Sequence, residues 1–220
     1  MKLREIHCSY CPQKPCRTGS LNNAPSFCPS TVRPDLMEEA KQKFQNMENK
    51  RMAQNVARTW KSDEKLTRIE ETILYAKLQG YTILGLAFCI GLEDEAELVT
   101  NVLVNEGFKV VSICCMCGAF SSDIIELPKA DKIKIGRQPM CNPIGQAAML
   151  DAAGCELNIM LGLCVGDDTL FIKHSKAPVT VLAVKDKVLA HNPLGALYAS
   201  KYYHSRLNFR RQKKDEEKPI

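Results

Sequence analysis

The sequence predicts an α/β fold, a small doubly wound and mostly parallel sheet of about four strands, with a cysteine-rich N-terminal metal knuckle and a helical segment ahead of it. Three observations carry this. From residue 81 onward, apolar runs of strand length alternate with amphipathic stretches of helix length. Each strand–helix–strand unit demands a crossover, which favours parallel pairing and a right-handed connection. Cysteines fall repeatedly where a strand ends or a helix is about to begin.

The chain opens with Cys8-Ser9-Tyr10-Cys11, then Cys16, then Cys28-Pro29. Pro12, Pro15, Gly19, Pro25 and Pro29 interrupt any regular element, so these thiols form no hydrophobic core. A loop-rich segment with closely spaced cysteines is folded by the ion or cluster it wraps, and Cys8, Cys11, Cys16 and Cys28 are its expected metal ligands. The two-residue spacing suits tetrahedral zinc. The Cys28-Pro29 pair resembles the last ligand of ferredoxin-type iron–sulfur motifs, whose other spacings differ. Residues 1–33 are thus a metal-binding knuckle.

Arg33-Pro34-Asp35 is a helix start, and 35–60 carries strong helix formers without Gly or Pro. A second helix is predicted over 62–78, with Gly80 as its stop. These elements make 34–80 a helical segment that packs on the main domain. Within the α/β domain at 81–200, Thr82 to Phe88 is a buried strand and Glu93 to Asn105 an amphipathic helix halted near Gly107. Lys109 to Cys114 is the second strand. Residues 118–140 have no regular pattern. Ile144 to Gly154 is an alanine-rich helix, Leu157 to Leu163 a strand, Asp168 to Lys173 a short helix and Val179 to Val184 the last strand. Residues 201–220 form a charged tail, which is a solvated terminus before it is a nucleic-acid contact.

Composition bounds the function. The chain has 220 residues, 45% hydrophobic and 25% charged, with a net charge of +5. This is ordinary globular protein with no expected nucleic-acid partner. No apolar run approaches the ~18 residues of a membrane span, and Met1-Lys2-Leu3-Arg4 lacks a signal-peptide pattern. A cytoplasmic location is expected. In that reducing compartment, eleven cysteines are better explained by metal or cluster ligation than by disulfides.

In an open parallel sheet, ligands bind outside the carboxyl ends of the strands, where strand order reverses. Cys89, Cys115 and Cys117, Cys141 and Cys164 all fall at such positions. Helix N-termini after Cys89, Cys141 and Cys164 favour thiolates. Cys89, Cys117 (or Cys115), Cys141 and Cys164 are therefore the expected ligands of an iron–sulfur cluster. Pleat alternation sends Cys114 and Cys115 to opposite faces, so both cannot serve one site. Cys114 and Cys155 are expected as core residues. His174 is a candidate acid–base group on the same rim, and Asp167 and Asp168 are expected to cap the helix after Cys164. No complete phosphate-binding glycine loop is present.

Cys8-Ser9-Tyr10-Cys11, Gly85 to Cys89, Cys114-Cys115-Met116-Cys117-Gly118, Met140 to Ile144, Gly162 to Gly166 and Ala177 through His191-Asn192-Pro193 together resemble an uncharacterised prokaryotic family of predicted metal-binding proteins. The resemblance spans residues 8–193 and implies metal binding by the cysteines, with no assigned reaction. Asp167 departs from it, since the resemblance leads to a His there.

The sequence thus points to one or two iron–sulfur clusters or zinc, in a protein that meets a redox partner or a small-molecule substrate. A zinc-stabilised binding module without catalysis is the competing reading. A thiol enzyme using Cys117 or Cys164 as nucleophile is a third.

Overall fold

The computed structural model describes residues 6–61, 65–132 and 139–207. Parts of the predicted second helix, of the 118–140 segment and of the charged tail lie outside these residues. Among these residues the chain divides into one unit up to Arg58 and another that starts at Thr59.

In the first unit, short 3-10 turns at Cys8–Tyr10 and Pro15–Thr18 precede helix α1 (Pro29–Val32) and helix α2 (Pro34–Lys43). Helix α3 (Met47–Trp60) follows. The single helix expected over 35–60 is therefore broken after Lys43. Asn46 explains the restart: its Oδ1 accepts the N–H groups of Glu48 and Asn49 at 3.0 and 3.2 Å, an N-cap arrangement.

In the second unit, helix α4 (Arg68–Gln79) begins at a capping box between Thr67 and Glu70 and ends on Gly80 at φ 76°. Only glycine adopts that left-handed stop without strain. The chain then alternates: strand β1 (Ile83–Phe88), helix α5 (Glu93–Asn105), strand β2 (Lys109–Cys114), helix α6 (Pro143–Ala152), strand β3 (Leu157–Leu161), helix α7 (Asp167–His174) and strand β4 (Val179–Ala183). Two further helices, α8 (Leu194–Tyr198) and α9 (Ser200–Leu207), close the described chain.

The sheet has four strands in the order β2-β1-β3-β4, and every pairing is parallel. The predicted α/β class and parallel sheet hold. From β1 the chain steps outward to β2, then crosses back to β3 on the other side of β1. Strand order therefore reverses between β1 and β3.

Pleat alternation builds two cores. Leu84 and Leu86 of β1, with Leu157, Ile159 and Leu161 of β3, face α4 and α5 through Ile73, Ala76, Ala96 and Leu103. Ala87 and Met160 point the other way, onto Ala147 and Leu150 of α6 and Phe171 of α7. Burying each of the large aliphatic side chains contributes about 1.5–3 kcal/mol. Among its described residues the segment 118–140, left unassigned by the sequence, holds 3-10 turns at Ser122–Ile125 and Lys129–Asp131 and an antiparallel bridge between Ser121 and Pro139.

Glu156 pins the amino edge of the sheet. Its carboxylate accepts the Thr82 and Ile83 N–H groups at 2.6 and 3.0 Å and the Thr82 hydroxyl at 3.1 Å. Those N–H groups, Thr82's first, hold its pKa below the usual carboxylate value. A depressed folded-state pKa gives stability that is present above the unfolded value and lost as pH falls through the folded one. Glu156→Gln should therefore cost about 1 kcal/mol at pH 7, after allowing for solvent screening. In urea melts the gap between variant and parent should close as pH is lowered through the carboxylate range, and a gap that stays constant would refute the assignment.

Candidate functional site

Three strands of the parallel sheet deliver a cysteine to its carboxyl edge. Cys89 follows β1, Cys115 follows β2 and Cys164 lies three residues past β3. Cys141 stands two residues before α6. Backbone bonds fix these loops: Cys89 N–H donates to Leu161 O at 3.1 Å, and Asn142 N–H donates to Cys115 O at 2.6 Å.

Asn142 and Gln146 carry most of the positioning. The Asn142 side chain accepts Gly145 N–H at 2.8 Å, capping α6, and its Nδ2 donates to Cys117 O at 3.1 Å. Gln146, fully buried, donates from Nε2 to Phe88 O at 3.2 Å and to Ile113 O at 2.7 Å. One amide group thereby ties the end of β1 to the end of β2, next to Cys89 and close to Cys115. Its Oε1 is buried with no hydrogen-bond partner among the described residues.

The side chains form a closed circuit. Cys115 interacts electrostatically with both Cys89 and Cys141, and Cys141 with Asp167. Cys164 interacts electrostatically with Asp167 and with Cys89. Four thiols and one carboxylate thus ring the reversal point between β1 and β3. Cys115 is 1% exposed, the other three cysteines half-buried.

Burial raises the Cys141 thiol pKa first, and negative charge on Cys115 and Asp167 raises it further. Cys115 is raised by burial and by charge on Cys89, against the Ile90 N–H, which points at its sulfur at 3.4 Å. Cys164 is likewise raised by burial and then by Cys89 and Asp167, while Lys187 and Lys185 lower it. Lys185 Nζ lies 3.3 Å from where a Gly91 Cβ would stand, and Cys89 Sγ 4.0 Å from the same point. Glycine at 91 leaves this cation room beside the thiols.

Among the described residues, no group of three or more His, Cys, Asp or Glu side chains is set around a common point as a metal ion needs. The chemistry of the ring residues nevertheless fits a thiophilic cation or an iron–sulfur cluster, for which cysteine thiolates are the natural donors. A cation among them would offset both the burial and the neighbouring negative charge that raise Cys115, Cys141 and Cys164.

Of the expected set, Cys89, Cys141 and Cys164 come together, and Cys115 is the residue of its turn that joins them. Cys117 lies apart: its S–H faces Asn142 O at 3.8 Å and its charge neighbour is Cys114. Cys155 is buried in the second core as expected, whereas Cys114 is only partly buried and belongs to neither core. His174 belongs to the opposite edge. It ends α7, and the following Ser175 accepts a bond from Asn158 at the start of β3 at 2.7 Å. Helices run back against their strands, so the C-terminus of α7 cannot lie on the thiol rim. Asp168 makes the local backbone bonds, to Gly166 and Thr169 N–H at 3.0 and 2.7 Å. That leaves Asp167, expected only as a cap, to face the thiols. Asp167, Lys185 and Lys187 escaped sequence reading, and a charge lying within four residues of a rim cysteine or strand end was the one available signal.

In the N-terminal unit, Cys8 and Cys11 share one turn closed by Cys11 N–H on Cys8 O at 3.2 Å. Lys14 N–H points at Cys11 Sγ at 3.3 Å. Cys8 and Cys16 are exposed, Cys11 and Cys28 half-buried. Burial raises the Cys28 thiol, but the N–H groups and hydroxyls of Ser30 and Thr31 at the start of α1 outweigh it and leave the pKa lowered.

A family profile for a protein of unknown function, DUF1847, matches residues 28–182, most of the chain. The chain belongs to the DUF1847 family. An uncharacterized protein of Methanocaldococcus jannaschii is 41% identical over 202 residues, covering 92% of this chain and 98% of its own length. No solved structure matches. The uncharacterised family expected from the sequence is thereby established. The DUF1847 segment contains every ring residue and Cys28, while Cys8, Cys11 and Cys16 precede it.

No described helix is long and apolar enough to cross a membrane.

Proposed function

We propose that this DUF1847 protein holds an iron–sulfur cluster at the ring of Cys89, Cys115, Cys141 and Cys164 and serves in redox or electron transfer. The N-terminal Cys8, Cys11, Cys16 and Cys28 hold a second metal, zinc or iron–sulfur. The closed circuit of thiols at the reversal point of a parallel sheet carries this reading. Three of its four cysteines arrive on separate strand ends and the fourth on the loop into α6, an economy that ordinary core packing does not require. Lys185 and Lys187 offset the negative charge such a cluster brings, and half-buried thiols leave it open to a redox partner or a small substrate.

The test is iron and acid-labile sulfide analysis, with a visible spectrum, on protein purified without oxygen. One cluster at the ring predicts about four irons and four sulfides with absorbance near ~400 nm, and a second cluster doubles them. Cys115→Ser should remove the ring's share, and Cys11→Ser the knuckle's. Colourless protein with zinc alone would overturn the redox reading. It would support a zinc-stabilised binding module.

A further inference from the structure

The turn after β2 contains three cysteines, and the ring uses only one of them. Cys114, Cys115 and Cys117 lie within Cys114-Cys115-Met116-Cys117. Cys115 turns inward to Cys89 and Cys141. Cys114 is the last residue of β2 and, by pleat alternation, takes the other face. Cys117 has Cys114 as its charge neighbour.

Cys117 N–H donates to Cys114 O at 3.2 Å, which closes a β-turn with these cysteines at its two ends. Such a turn brings its first and last Cα atoms within ~7 Å, the separation a disulfide spans. Both residues are partly exposed, which leaves an external thiol reagent a route to them. The turn is also held at both ends of its last residue: Asn142 Nδ2 donates to Cys117 O at 3.1 Å, and Cys117 S–H faces Asn142 O at 3.8 Å. Two thiols two residues apart, accessible and fixed in a turn, have the arrangement of an exchanging dithiol.

We propose that Cys114 and Cys117 form a redox-active dithiol, separate from the ring, whose reaction partner is a disulfide. One thiolate attacks a sulfur of the external disulfide, forming a mixed disulfide and expelling one thiolate, which takes up a proton. The second cysteine then attacks the mixed disulfide, forming the Cys114–Cys117 bond and expelling the second thiol. The dithiol loses two electrons and two protons, and the external disulfide gains both. Reduction by a dithiol runs the same steps backward.

The test poises the full-length protein in mixtures of oxidised and reduced dithiothreitol, then acid-quenches, alkylates and maps it by mass spectrometry. The expected result is a loss of about 2 Da within the peptide holding residues 114–117, reversible with poise. Fragmentation of the unsubstituted protein should place the bond between Cys114 and Cys117. The bond should vanish in Cys114→Ser and in Cys117→Ser and persist in Cys115→Ser. Iron content separates this inference from the cluster reading, since Cys117→Ser should keep the parent's iron while Cys115→Ser loses the ring's share. A bond that joins Cys115 to Cys141, a turn that stays reduced at every poise, or a Cys117→Ser protein stripped of ring iron would each overturn it. The last would make Cys117 a ligand. A protein without iron leaves the thiol mapping fully readable.

Discussion

A Gly85→Val protein is expected to lose about 3–5 kcal/mol of stability, enough to consume much of a typical domain's 5–15 kcal/mol. Gly85 sits in the middle of β1, paired with Val111 of β2 on one side and Asn158 of β3 on the other. A Cβ there would overlap Asn158 Oδ1 and stand 2.9 Å from Leu150 Cδ1. Asn158 is fully buried, and its Nδ2 donates to Ser175 Oγ at 2.7 Å. Displacing it breaks that bond inside a low-dielectric layer, where an unpaired polar group is costly. Urea denaturation reads the loss directly. Because the damage is steric and local, the double variant Gly85→Val with Asn158→Ala should recover part of it, a coupling that a double-mutant cycle measures. If the two losses simply add, Asn158 is not what excludes a side chain at 85.

Gln146→Leu is expected to cost about 2–4 kcal/mol and to disturb the ring together with the fold. The leucine fills a similar volume, so the loss comes from the carbonyls of Phe88 and Ile113, both of which lose their Gln146 donor. These carbonyls mark the ends of the strands that deliver Cys89 and Cys115. Their spacing then has no cross-tie, and metal or cluster occupancy on anaerobic purification should fall with the stability. Gln146→Glu should be no better at neutral pH, because a carboxylate offers no donor to either carbonyl. A Gln146→Leu protein with full stability and full iron would show that the strand ends are held by the ladder alone.

Gly85 also shows how far the sequence could be read. Thr82 to Phe88 is legible as a strand from its apolar run, and the glycine within it looks like an unexplained weakness. Its partner Asn158 lies in another strand, brought alongside only by the sheet order. The same holds for Gln146, which reads as one more polar residue on an alanine-rich helix until the crossover from β2 lays it over two strand ends. Short-range chemistry is another blind spot. The helix predicted from Asp35 to Trp60 contains no Gly or Pro, yet Asn46 caps a restart within it.

By itself the sequence determined the α/β class, the bounds of most elements within a residue or two, and the placing of cysteines at strand ends. Those follow from hydrophobic period and turn residues, which are local properties. Tertiary structure alone decided which thiols meet. Cys117 lies in the turn past the end of β2, where no period fixes a side chain's direction, so spacing alone could not choose between it and Cys115. Asp167, Lys185 and Lys187 reach the thiols because strand order reverses between β1 and β3, and strand order is set by how layers cover each other, which no single segment encodes.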